Sequence, residues 1–283
     1  MLVDTHAHLY WDSYKDDLDK VIQRSIDASV TTIINVGVDV GLSKKAAEQV
    51  RGELSKIPNL KSYSTIGIHP HEATNYSDIE SIHKDIEKLE KIYQTQPDQI
   101  VAVGECGLDY FFVNSPEPSS LPIEKQKDLQ RLLFQSQINL AKKLNLPLIV
   151  HVRDDRSQNP ENSECWDEVL KMVGDYPTLL HCYSGLSLTT NHILQTTNLL
   201  VSFAATITYP KNEYLREAAK ILPLEKIVLE TDCPFLSPQS KRGQRNEPAT
   251  VLEIAQLVAN LKEVSFDEVA TQTTNNVAKI FAF

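Results

Sequence analysis

Cysteine is scarce in this chain. The four that occur, Cys106, Cys165, Cys182 and Cys233, form no C-x-x-C pair. Their scatter argues against a disulfide framework and for reduced thiols. No run approaches the roughly 18 apolar residues of a membrane span, and the chain does not open on a basic segment followed by an apolar one. A cytoplasmic location with no membrane partner is therefore expected. Basic residues are the minority, with 28 Lys and Arg against 38 Asp and Glu and a formal net charge of −10. That balance argues against broad electrostatic adhesion to nucleic acid. It leaves a phosphate-bearing substrate open, because bound divalent cations would be the largest local charges in a site. A glycine-rich phosphate-binding loop is also absent.

What the sequence does have is a regular alternation. Short Val- and Ile-rich runs predict strands at Leu2–His6, Thr31–Val38, Tyr63–His69, Ile100–Gly104, Leu146–Val152, Thr178–His181, Leu199–Phe203 and Lys226–Asp232. Amphipathic segments between them predict helices at Asp16–Ala28, Leu42–Leu54, Ile79–Tyr93, Glu124–Leu144, Trp166–Val173, Leu188–Gln195 and Glu213–Ile221, with Val251–Leu261 and Phe266–Phe281 closing the helical layer. This is the pattern of repeated βα units on a parallel sheet. Barrels of about 250 residues form one domain, so a single α/β domain over residues 1–283 is expected. Between a doubly wound open sheet and a (β/α)8 TIM barrel, the barrel is preferred. The chemically loaded residues end several different strands, as they do in barrel active sites, and do not gather at one switch point. Asn114–Pro122 and Asp154–Glu164 read as extended surface loops.

Those loaded residues begin with His6 and His8, whose i, i+2 spacing sends both imidazoles to one face of an extended chain. Alone, such a pair is as compatible with capping a strand as with holding a cation. Glu105, His151, His181 and Asp232, however, each follow a further apolar run. Polar groups at the tips of buried strands cost free energy unless they are paired, and a mixed His/Asp/Glu cluster is best satisfied by cations such as Zn²⁺, Mn²⁺ or Mg²⁺. Cys106, Cys182 and Cys233 neighbour these positions and are expected to face away from them as packing residues. His83 and His192, on helical stretches, are expected to be solvated.

The motifs VDTHAHL, GIHPH, GECGLDY, PLIVHVR, LLHCYSG, ETDCPFLSP and RGQRNEP, in this order over nearly the whole chain, resemble the TatD family of metal-dependent deoxyribonucleases, within the amidohydrolase-like barrels. The resemblance implies two divalent cations. His6, His8 and Asp232 would hold one, His151 and His181 the other, and Glu105 would bridge them. It also implies that His69, His71 and Arg153 lie near substrate. Lys241, Arg242 and Arg245 follow the last strand, where barrels often bind phosphate. Glu105 and Asp232 are the catalytic candidates, with Asp232 accepting and returning a proton as cation-activated water attacks phosphorus.

The activity so implied is a 3′–5′ exonuclease acting on DNA, possible on RNA, in a monomer. The same centre would also suit aminoacyl-tRNA or small esters and amides; a decayed, non-catalytic scaffold is disfavoured by the intact ligand set. Two departures from the family pattern are Tyr10, where an acid or amide is usual, and Asp154-Asp155, where a small residue is usual. Neither is a candidate ligand.

Overall fold

The computed structural model describes residues 1–114 and 119–283. Eight parallel strands form one sheet in chain order. They are β1 (Leu2–Ala7), β2 (Val30–Asn35), β3 (Lys61–Ile66), β4 (Ile100–Asp109), β5 (Leu148–Arg153), β6 (Thr178–Leu180), β7 (Leu199–Phe203) and β8 (Ile227–Leu229). Just beyond the end of β8 the chain returns to β1. Asp232 N–H donates to the His6 carbonyl at 2.9 Å, and His8 N–H donates to the Cys233 carbonyl at 2.8 Å. The architecture is thus a closed (β/α)8 TIM barrel, the expected one of the two alternatives.

Branched side chains fill the barrel. Val3, Ile34, Val101, Ile149, Leu179 and Val228 pack together with Val277 and Phe281 of the last helix. A larger buried cluster lies between the strands and the surrounding helices. Several helices begin where a side chain satisfies a free amide. Asp39 accepts from Leu42 N–H at 2.6 Å to start Val40–Gly52, and Ser265 accepts from Glu268 N–H at 3.1 Å to start Phe266–Phe281. A reciprocal capping box between Asp78 and Ser81 starts Ile79–Thr95.

The helix Ile123–Leu144 fixes the functional end of the barrel. Its buried Gln130 accepts from Asp109 N–H at 2.9 Å and donates to the Asp109 carbonyl at 3.2 Å. Two turns on, Gln137 does the same for Ile68, at 2.7 and 2.8 Å. One helix face thereby holds the chain just before His69 and at the tip of β4.

Strand ends are where the structure corrects the sequence reading. β4 runs five residues past the expected end at Gly104. β2, β3 and β8 stop short of their expected ends, and their last predicted residues form the loops that carry the site. The predicted Asn114–Pro122 loop lies partly outside the described residues. The Asp154–Glu164 segment is tied down: Asp154 is buried and accepts from Cys165 N–H at 2.7 Å, while Arg156 donates to the Ser184 carbonyl at 2.9 Å. All four cysteines are free, with Cys106, Cys165 and Cys233 buried. Among the described residues no helix is long and apolar enough to cross a membrane.

Candidate metal centre

Six of the eight histidines gather at the C-terminal end of the strands; the other two, His83 and His192, are exposed on helices. Glu105, inside β4, is at the middle. Its Oε1 faces His181 Nε2 at 2.8 Å, His151 Nδ1 at 3.0 Å and His69 Nε2 at 3.3 Å. Its Oε2 faces His6 Nε2 at 3.2 Å. Asp232 completes the other side, with Oδ1 3.3 Å from His8 Nε2 and 3.9 Å from His6 Nε2. The structure therefore brings His6, His8, Glu105, His151, His181 and Asp232 into one cluster and adds His69 to it.

Among the described residues three trios place ligand atoms within 4.8 Å of one another: His6, His8 and Asp232; His69, Glu105 and His151; His6, His181 and Glu230. The first trio is the grouping the resemblance assigns to one cation. The second brings in His69, which had been assigned to substrate.

His6 tests whether cations fit. It is fully buried, and neither ring nitrogen has a hydrogen-bond partner; the approach to Glu105 is close but outside hydrogen-bond geometry. An imidazole so placed is costly unless something occupies the space its lone pair faces. The His6 ring also stacks on His181 at 4.0 Å, and His151 Nδ1 lies 3.3 Å from His181 Nε2. Imidazole nitrogens directed at one another and at shared carboxylates make a donor set that suits divalent cations.

The electrostatics agree. Burial opposes ionisation of Glu105, yet the surrounding imidazoles hold its carboxyl well below the usual range. Burial likewise opposes charge on His151, but Asp109 and Glu105 raise it to about 9; His181 is raised through Glu105 and Glu230. His69, governed by its burial, falls to about 4. The carboxylates thus favour positive charge at this site, and the raised His8, His151 and His181 reflect it; bound metal would supply that charge in place of protons.

Behind the ligands stand three fully buried carboxylates whose roles the sequence reading did not assign. Asp109 faces His151 Nε2 at 3.0 Å and His71 Nε2 at 2.9 Å. Glu230 accepts from Cys182 N–H at 2.8 Å and from Ser202 Oγ–H, and faces His181 Nδ1 at 3.3 Å. Asp4 accepts from Thr231 N–H at 2.9 Å, Thr231 Oγ–H at 2.6 Å and His6 N–H at 3.2 Å, pinning the β1–β8 seam. Spacing carried a signal for two of them: Asp4 is two residues from His6 in β1, and Glu230 is two from Asp232.

Backbone conformation is specialised here too. Asp232 (φ 55°) and Cys182 (φ 44°), the latter just after His181, both adopt the left-handed region that non-glycine residues seldom occupy. Tyr10, the departure from the family pattern, donates to the Val36 carbonyl at 2.8 Å and lies 3.0 Å from His8 Nδ1. His8 Nδ1 is itself 2.9 Å from that carbonyl, which leaves Nε2 directed at Asp232.

The expected substrate contacts divide. Arg153 lies 3.9 Å over the Phe111 ring and Arg242 4.3 Å over Tyr209, and among the described residues neither guanidinium has a carboxylate partner. His71 stacks on Phe112 at 3.8 Å and bonds Asp109. Arg245 is instead engaged by Asp17 at 2.7 Å and Glu247 at 3.1 Å, and Lys241 is exposed.

Comparison with known proteins decides the family. Residues 3–282 match the family model described as TatD related DNase. The chain belongs to the TatD family. It is 34% identical to an uncharacterized metal-dependent hydrolase, YabD of Bacillus subtilis, with 99% of each chain covered. It is 30% identical to human deoxyribonuclease TATDN3, covering 99% of this chain and 94% of that one. Among solved structures it superposes on YjjV, a TatD homologue from Escherichia coli K12, with a TM-score of 0.82 and 25% identity, covering 100% of this chain and 98% of the other. This TatD family member is accordingly a metal-dependent hydrolase.

Proposed function

We propose that this chain is a deoxyribonuclease that trims DNA from a 3′ end, using two divalent cations bridged by Glu105. The observation that carries the reading is the division of the Glu105 carboxylate. One oxygen faces His6, which belongs with His8 and Asp232, and the other faces His69, His151 and His181. Divalent cations, Mg²⁺, Mn²⁺ or Zn²⁺, would supply Lewis acidity and lower the pKa of water toward neutrality when bound.

The chain's own residues supply the rest. Asp232, whose side chain is 17% exposed against 5% for Glu105, is the carboxylate a water-derived proton can reach, and it is the candidate acceptor. Arg153 and Arg242 hold substrate phosphates without first breaking an ion pair. Burial of the candidate ligands favours a strand terminus over the middle of a duplex. Relatives named deoxyribonuclease support the choice of substrate.

The test uses single-stranded DNA labelled at either end. Chelation should abolish hydrolysis and added divalent metal should restore it, with products shortening stepwise from the 3′ end. Glu105→Ala should abolish turnover and lower bound metal from about two ions per chain, while circular dichroism remains that of a folded barrel. Full metal occupancy with retained activity in Glu105→Ala would reject the bridging role; internal fragments or 5′ shortening would reject the polarity.

A further inference from the structure

We propose that Trp11 and Phe235 form a stacking platform for an unpaired nucleobase, that of the nucleotide whose phosphate sits at the metal centre. The proposal rests on the nuclease reading above and specifies how such a substrate is held.

The two rings come from opposite ends of the chain and meet edge to face, with centroids 5.8 Å apart at an interplanar angle of 81°. An edge-to-face pair leaves each ring at least one face that its partner does not cover. Both rings are open to solvent, Trp11 at 39% and Phe235 at 47% relative exposure. Exposed aromatic faces beside the metal centre are surfaces on which a base can stack.

The backbone of each residue is tethered to a residue of the candidate metal centre. Trp11 N–H donates to the His8 carbonyl at 3.3 Å, and Phe235 N–H donates to the Asp232 carbonyl at 3.0 Å. The Phe235 ring also lies 6.2 Å from the His8 ring. The platform is therefore a fixed extension of the β1–β8 side of the cluster, within reach of a substrate phosphate held there. Buried Tyr10 backs Trp11 at 6.1 Å and an angle of 27°. In the segment after β8, Arg242 stacks over Tyr209 at 4.3 Å with no carboxylate partner among the described residues.

A flat apolar pair beside a phosphate-directed centre matches a base with its backbone. Stacking accepts any base, because every base has a π-face, but requires that it be unpaired. The platform thus selects single-stranded ends and not a particular sequence.

Fluorescence reads this directly, since the chain has two tryptophans and the other, Trp166, is fully buried. The enzyme is mixed rapidly with oligothymidylate, or with an oligomer of equal length whose sugars are abasic, and emission is recorded before turnover. Saturable quenching by oligothymidylate, with clearly weaker binding of the abasic oligomer, is expected. By polarisation of labelled oligomers, Trp11→Ala and Phe235→Ala should each weaken oligothymidylate binding about fivefold to a hundredfold, the range for losing one stacked base. The penalty should shrink on the abasic oligomer, and Trp11→Phe should restore most of the affinity.

Equal affinity for the two oligomers, or equal losses on both in the alanine variants, would overturn the platform while leaving the nuclease reading standing. Failure of wild-type enzyme with restored metal to bind or cleave either oligomer would remove that reading, and the platform with it.

Discussion

The Asp109 carboxylate lies 3.0 Å from His151 Nε2, on the edge of the ring opposite the nitrogen that faces Glu105. It thereby sets which nitrogen of His151 is presented to the centre. Asp109 also caps the short helix Tyr110–Val113 through Phe112 N–H at 2.7 Å, so its own orientation is fixed by backbone.

The consequence is testable with Asp109→Asn, which keeps the shape and removes the charge. Partners of this kind contribute about 10- to 100-fold to metal affinity. Affinity measured by competition with a chelating dye should fall within that range, and kcat at saturating metal should fall with it. Unchanged metal affinity would show that Asp109 serves His71 or the helix cap alone.

Asp109 also shows where the sequence ceases to be readable. The eight strands, the order of the helices and the barrel were legible because buried parallel strands read as Val/Ile runs. The candidate ligands could be picked out because His6, Glu105, His151, His181 and Asp232 each follow such a run, and the fold brings them into one cluster. Asp109 was not, because the Val/Ile run predicts a strand ending at Gly104, whereas β4 continues to Asp109. Glu230 was visible as an acid, but its task depends on Cys182 and Ser202, which only folding brings to it. The Trp11–Phe235 pair joins loops at the two ends of the chain, and no local pattern announces that kind of contact.

Gly107 lies between Glu105 and Asp109 with φ 139°, and a Cβ there would collide with the carbonyl oxygen of His151. The glycine allows β4 and β5 to bring Glu105 and His151 together. Gly107→Ala should therefore cost about 2 kcal/mol or more, through both backbone conformation and the forced separation of the strands. Urea denaturation measures the first effect, and loss of bound metal in the folded variant measures the second. A variant as stable and as metal-loaded as wild type would mean that the strands separate freely.

Asp154 gives a pH dependence from a carboxyl that is not a candidate ligand. Burial is the largest influence and raises its carboxyl from 3.8 to about 6, against the pull of Cys165 N–H and Arg156. The folded value lies above the unfolded one, so its stabilising contribution is complete below about pH 4, declines as pH rises to about 6, and is flat above. Asp154→Asn keeps an acceptor for Cys165 N–H without the charge. The stability of wild type relative to this variant, from urea midpoints, should therefore fall by about 1–2 kcal/mol between pH 4 and 7, allowing for partial solvation. A difference that is constant with pH, or that grows, would contradict the burial argument.

Arg242 and Arg245 occupy one segment yet should behave differently. The Arg245 guanidinium contacts both carboxylate oxygens of Asp17, at 2.8 and 2.7 Å, and reaches Glu247, which Arg24 also holds at 2.7 and 2.8 Å. This network ties the segment after β8 to the start of the helix Leu18–Asp27, so Arg245→Ala should lower stability by about 1 kcal/mol, with less effect at high salt. Arg242 rests on Tyr209 with no carboxylate partner among the described residues, and its charge is left for substrate. Arg242→Ala should leave the urea midpoint in place and raise KM for DNA about tenfold or more, the scale of one charge-assisted phosphate contact. Measuring stability and KM for both variants separates the roles. If Arg245→Ala raised KM while Arg242→Ala altered only stability, the assignment of the two arginines would have to be exchanged.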